Sequence, residues 1–170
     1  MTDAAIPRPS QLWKQLSPER RQRAAEAFWR DEHASAEQAE AVAAIAQRLK
    51  FRPKSAYALP VEKKVRYLIG MPAVSELVAA RLLVAYHLEY QRPMMASFLD
   101  ALGVAHENGL ISDENMPAPE RARLMSAAAA IAKSYPLEDV ALYLNTLQWQ
   151  DPDTWGALAE APESRPATRA

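Results

Sequence analysis

The 170 residues suffice for one domain that buries roughly two thirds of the surface its unfolded chain exposes, and 49% apolar against 24% charged side chains excludes a chain too polar to collapse. The absence of cysteine excludes disulfides, thiolate metal ligands and cysteine nucleophiles. A net charge of -1 conceals a gradient, with 15 basic and 10 acidic side chains in residues 1–99 against 5 and 11 in residues 100–170, so each half invites the other or an oppositely charged partner.

Ser17-Pro18-Glu19 is the first clear helix start. The serine hydroxyl can cap free backbone N–H groups, a proline at the first helical position loses no hydrogen bond, and glutamate suits the positive helix end. The pattern predicts an amphipathic helix over 18–31 with Arg21, Ala24, Ala25 and Phe28 on its inner stripe. Ser35 and Gln38 form a capping-box pair opening a helix to Leu49, on which Ala39, Val42, Ala43 and Ala46 share a face. Pro53 is expected to stop regular structure, and Pro60 opens a helix that Gly70 ends in the left-handed conformation. Over 73–91 apolar residues cover most of the helix circumference, which places that helix at the centre of the core. Arg81, His87 and Glu89 interrupt it, so no stretch of about 20 apolar residues is available to span a bilayer. The N-terminal residues lack the apolar run of a secretory signal, and a cytoplasmic location is expected.

Pro93 starts a further helix with Met94, Met95, Phe98, Leu99 and Leu102 inward and Gly103 as its stop. Residues 104–117 combine a short apolar turn, Asn108-Gly109 and acidic side chains, and read as a structured connection. Pro119-Glu120 opens an alanine-rich helix to Ser134, and Leu137, Val140, Tyr143, Leu144 and Leu147 align along the next. Asp151-Pro152-Asp153 caps a last turn carrying Trp155 and Leu158. No alternating strand pattern of useful length appears. The expectation is therefore an all-α protein, an irregular multi-helix bundle of about seven helices with a central hydrophobic helix near 73–91, forming one domain over 1–160 with an unstructured polar tail over 161–170. Tryptophans 13, 29, 149 and 155 fit terminal helices that pack together.

Signals for chemistry are sparse. The only glycines are Gly70, Gly103, Gly109 and Gly156, widely separated, so no glycine-rich phosphate loop is encoded. No Gly-x-Ser-x-Gly elbow occurs. His87 has no ligand type one turn away, and His33 suits the negative end of its helix. His106, Glu107 and Asp113, with Glu114 and Asp100 nearby, form a weak candidate for an enzyme or metal site, although their spacing matches no calcium loop.

The strongest anomaly is 48–66, where Arg48, Lys50, Arg52, Lys54, Lys63, Lys64 and Arg66 face the single acid Glu62, with Phe51 and Tyr57 interleaved. Such cations can neutralise phosphates while the rings stack on bases. A helix-turn-helix built from 63–69, 70–72 and the helix from 73 is disfavoured, because Glu76 falls where an apolar residue belongs and the second helix is too hydrophobic to lie in a groove. The expected function is a helical interaction or regulatory module that binds another protein, with Trp149 and Trp155 as contact residues if they are exposed. Nucleic-acid binding through 48–66 is the alternative, and an enzyme or metal site near His106 is the second. No cofactor is expected.

Overall fold

A computed structural model of the chain describes residues 6–113 and 115–165. Among them are ten α-helices, seven of nine residues or more, and one two-stranded hairpin. The expected all-α class therefore holds. The chain divides into two compact units, Arg8–Glu89 and Tyr90–Ala170 with Met1–Pro7, and each has its own buried residues.

The first unit holds α1 (Pro9–Gln15), α2 (Pro18–Arg30), α3 (Ser35–Leu49), α4 (Pro53–Tyr57), α5 (Val61–Ile69) and α6 (Glu76–Tyr90). Ser17 caps α2 as its position implies, its hydroxyl accepting from the Arg20 N–H at 3.4 Å. Ala24, Ala25, Ala27 and Phe28 turn inward, and α2 packs on α5. The Ser35 capping box does not form. Gln38 instead reaches back to donate to the carbonyls of Phe28 and Asp31, at 2.8 and 3.0 Å, satisfying the end of the preceding helix.

Two further starts and stops differ from expectation. Pro53 begins α4 rather than stopping structure, since its missing N–H is harmless at the first helical position. Gly70 ends α5 in the right-handed region at φ -77°, because its N–H continues the helical pattern by donating to the Arg66 carbonyl at 3.0 Å. It is Lys50, at φ 57°, that takes a left-handed helix end.

The hydrophobic helix expected near 73–91 is α6, starting at Glu76, where the Ser75 hydroxyl accepts from the Val78 N–H at 3.2 Å. Val78, Ala79, Leu82, Leu83, Ala85, Tyr86 and His87 are buried, while Ala80, Arg81, Val84 and Leu88 form a half-buried stripe along the opposite side. Leu77, expected inside, is 60% exposed. Polar ties hold its ends. Glu76 accepts from the Ser10 N–H at 3.0 Å and from the Ser10 hydroxyl, which gives α1 a cap supplied from far along the chain. Arg81 pairs with Asp31 at 2.8 Å, and Arg30 pairs with Glu89. Burial raises the Glu76 pKa, but the hydrogen bonds from Ser10 and the nearby Arg8 outweigh it and hold the carboxyl below its ordinary range.

The second unit holds α7 (Arg92–Leu102), β1 (His106–Glu107), β2 (Leu110–Ile111), α8 (Arg121–Ala132), α9 (Leu137–Gln150) and α10 (Pro152–Trp155), followed by 3-10 turns at Gly156–Glu160 and Pro162–Ser164. Gly103 ends α7 at φ 70°, as expected, and α7 packs on α8. Every residue of α9 from Asp139 to Gln148 is buried, while Leu137 at its start is exposed. Phe98 meets Tyr143 edge-on, centroids 5.6 Å apart, and lies 6.1 Å from Trp155. Burial drives the Tyr143 hydroxyl far above its ordinary range, so the phenol stays neutral.

The polar groups on α9 explain a correction at the C-terminus. Asn145 donates to the Ala141 and Ser164 carbonyls at 2.8 and 2.7 Å, and Ser164 donates to the Leu158 carbonyl at 2.7 Å. Residues 161–165, expected to be an unstructured tail, are thus fastened to α9, with Ala161 and Ser164 buried. Residues 166–170 of that tail lie outside the described residues.

Candidate functional site

The basic segment lies in the first unit, around the end of α3, through α4 and along α5. Arg48, Lys50, Arg52, Lys54, Lys63 and Arg66 are exposed, and none of the seven cations forms an ion pair with an acid among the described residues. Packing of α3 against α4 and α5 gathers them, because those helices bury Val42, Ala46, Ala56, Val65 and Leu68 and leave their polar sides outward. Phe51 is 44% exposed and Tyr57 is 63% exposed, so both rings remain available beside the cations.

Lys64 differs from its neighbours. It is half-buried, its Nζ lies 5.0 Å from the centroid of the Trp29 ring and 5.3 Å from that of Tyr57, and it donates to the Tyr57 carbonyl at 3.4 Å. Cation–π attraction of this kind contributes roughly 0.5–1 kcal/mol per exposed contact. Lys64 therefore orders the Tyr57 ring, with Trp29 seated on Val42, Ala46 and Ala56 beneath.

Arg48 and Arg66 line one cleft of about 250 Å3 together with Ile45, Leu49, Tyr67 and Met71. Ile45 is buried and the arginines are exposed, so the cleft has an apolar floor and a cationic rim. Arg66 also borders a second cleft of about 340 Å3 with Gln22, Glu62, Val65 and Ile69.

His106 has a structural role in the second unit. One ring nitrogen, Nε2, lies 2.6 Å from Asp100 Oδ1, and the other, Nδ1, accepts from the Gly109 N–H at 3.1 Å. Nε2 ties the hairpin to α7 through Asp100 while Nδ1 closes the hairpin's own turn at Gly109, and with Nδ1 accepting, Nε2 carries the proton. Asp113 accepts from the Asn115 N–H at 2.9 Å, and Glu107 is exposed on β1. Among the described residues no three His, Asp or Glu side chains are grouped to hold a metal ion, and Glu114 lies outside them.

The two tryptophans proposed as a contact pair are separated by burial. Trp155 is 3% exposed against Phe98 and cannot meet a partner. Leu147 and Leu158, close to the two tryptophans in sequence, are buried as well. Trp149 alone is accessible, at 40%. No described helix is long and apolar enough to cross a membrane.

No protein-family model matches this chain, and no curated protein or solved structure matches it. Sequence reasoning found the cations and the two rings, but it missed Ile45, Tyr67 and Met71 as cleft residues. Arg48 and Arg66 stand on different helices, and only the packing of α3 on α5 makes them neighbours.

Proposed function

We propose that the chain is a binding module that acts through the 48–66 edge, and that its partner is single-stranded nucleic acid. The observation that carries this reading is the set of seven cations, none in an ion pair among the described residues, in one segment with the exposed rings of Phe51 and Tyr57. A phosphate backbone supplies the missing charge, and each base stacked on an aromatic ring adds roughly 1–3 kcal/mol.

A single strand is favoured over a duplex for two reasons. The helix that would have to enter a major groove, α6, has Val78, Leu82, Leu83 and Tyr86 buried in the first unit. The exposed rings, moreover, need unstacked bases. A protein partner is the second reading, supported by Trp149 as an accessible aromatic anchor.

Fluorescence anisotropy with a labelled single-stranded oligonucleotide tests the proposal, using the wild type and the double charge reversal Lys54→Glu/Lys63→Glu. Both lysines are exposed and, among the described residues, outside ion pairs, so the fold should be retained, as checked by circular dichroism. Weakening of about tenfold or more supports the reading. Unchanged affinity, or tighter binding of an acidic peptide of equal length than of the strand, rejects it.

A further inference from the structure

From the Arg48–Arg66 cleft we infer a binding site for a phosphate monoester carrying an aromatic body, such as a nucleoside monophosphate or the phosphorylated end of a strand. The inference deepens the strand-binding reading and rests on it only for the second of those two sources.

Charge comes first. The cleft opens between the final turns of α3 and α5, where Arg48 and Arg66 stand beside Leu49 and Gly70. A helix C-terminus carries roughly half a negative charge, so the two ends together contribute about one. Two guanidiniums, neither in an ion pair among the described residues, contribute two positive charges. Cation wins, and the surplus is local to the rim.

Ligand valence follows. A monoester phosphate bears about -1.5 to -2 charges at neutral pH, which two guanidiniums match better than a single carboxylate or a phosphodiester does. Arginine suits the task because its planar fork bonds phosphate oxygens in pairs. Shape supplies the rest. The volume of about 250 Å3 falls below the roughly 300–1,000 Å3 of pockets for drug-sized molecules, so it suits one ring system with one anionic group. Ile45, Leu49 and Met71 offer that ring an apolar bed, and Tyr67 offers an aromatic neighbour.

Nuclear magnetic resonance titration and calorimetry on the full chain test the site, with adenosine monophosphate, adenosine and inorganic phosphate as probes. The monophosphate is expected to bind at least tenfold tighter than either fragment. Arg48→Ala and Arg66→Ala should each weaken it by about tenfold. Because both side chains are exposed, the variants should keep the wild-type spectrum elsewhere. Adenosine binding as tightly as its monophosphate, or arginine variants that bind like the wild type, would overturn the proposal.

Oligonucleotides with and without a terminal 5′-phosphate separate the sources. Preference for the phosphorylated end assigns the cleft to strand termini, and equal binding with retained monophosphate affinity assigns it to the free nucleotide. Monophosphate binding without strand binding sinks the strand reading alone. Strand binding without monophosphate binding sinks the cleft alone.

Discussion

Replacing Gly109 by alanine should cost the second unit about 2–4 kcal/mol. Asn108 and Gly109 sit at φ 51° and 87°, the paired positive values of a two-residue hairpin turn. An L side chain at such a φ costs roughly 1–2 kcal/mol. Space adds to this, because a Cβ there would lie 2.9 Å from the Met95 Cβ and 3.1 Å from the Arg92 carbonyl oxygen. The oxygen belongs to the backbone of α7 and cannot move alone, so relief shifts the hairpin and adds about 1–2 kcal/mol of overpacking. For a chain of this size each kcal/mol moves the midpoint by roughly 2–4 °C, giving a fall of about 5–15 °C in thermal unfolding. Gly156→Ala is the control. That residue is helical, at φ -56°, with nothing within 4 Å of an added Cβ, so alanine there should stabilise by about 0.5–1 kcal/mol. If Gly109→Ala unfolds within about 0.5 kcal/mol of the wild type, the close approach of hairpin to α7 is wrong.

Asn145→Ala should leave the Ser164 carbonyl without its buried donor, costing about 1–3 kcal/mol, and should speed hydrogen exchange at the Ser164 and Arg165 amides; unchanged exchange there would show that Asn145 does not fasten the terminus. Glu76→Gln should be less stable than the wild type at neutral pH. The folded Glu76 pKa is depressed below its ordinary value of 4.5, so its contribution is present above that value and disappears as pH falls through the lower folded one. Urea midpoints of the two proteins should therefore converge in acid, and a gap that stays constant or widens would refute the sign.

Local capping signals were legible in part, since the Ser35 box, the stop at Pro53 and the left-handed end at Gly70 misled. Ser17-Pro18 and Asp151-Pro152 carry their capping side chains within three residues, and both helices start there. The all-round apolarity of α6 translated into burial on one side only: Val78, Leu82, Leu83 and Tyr86 are buried, whereas Val84, Leu88 and Tyr90 are half-buried and Leu77 is exposed. Signals that depend on distant partners were not legible. Helix α1 is capped by Glu76, 66 residues away, and the terminal 3-10 turn is held by Asn145, 19 residues back from Ser164. The hairpin is hidden in the sequence for another reason. Its Asn-Gly turn is a strong signal, but each strand has only two residues, too few for alternation to register.

At the site the same division holds. A run of cations is visible in any sequence, and their exposure follows from solvation. Which of them converge depends on helix packing, so the Arg48–Arg66 cleft had no sequence signal. Trp149 and Trp155 were equivalent as sequence, and only the position of Phe98 distinguishes the buried ring from the accessible one.

The central claim, that the 48–66 edge binds a nucleic-acid strand by its phosphates, is tested most directly by the salt dependence of that binding. Single strands lose affinity with a logarithmic slope of about -0.7 per phosphate neutralised. If four to seven of the cations engage, the slope is roughly -3 to -5, and raising salt from about 50 to 200 mM should weaken binding by about 50- to 1,000-fold. A slope near zero, or no measurable binding at the lowest salt, would contradict it.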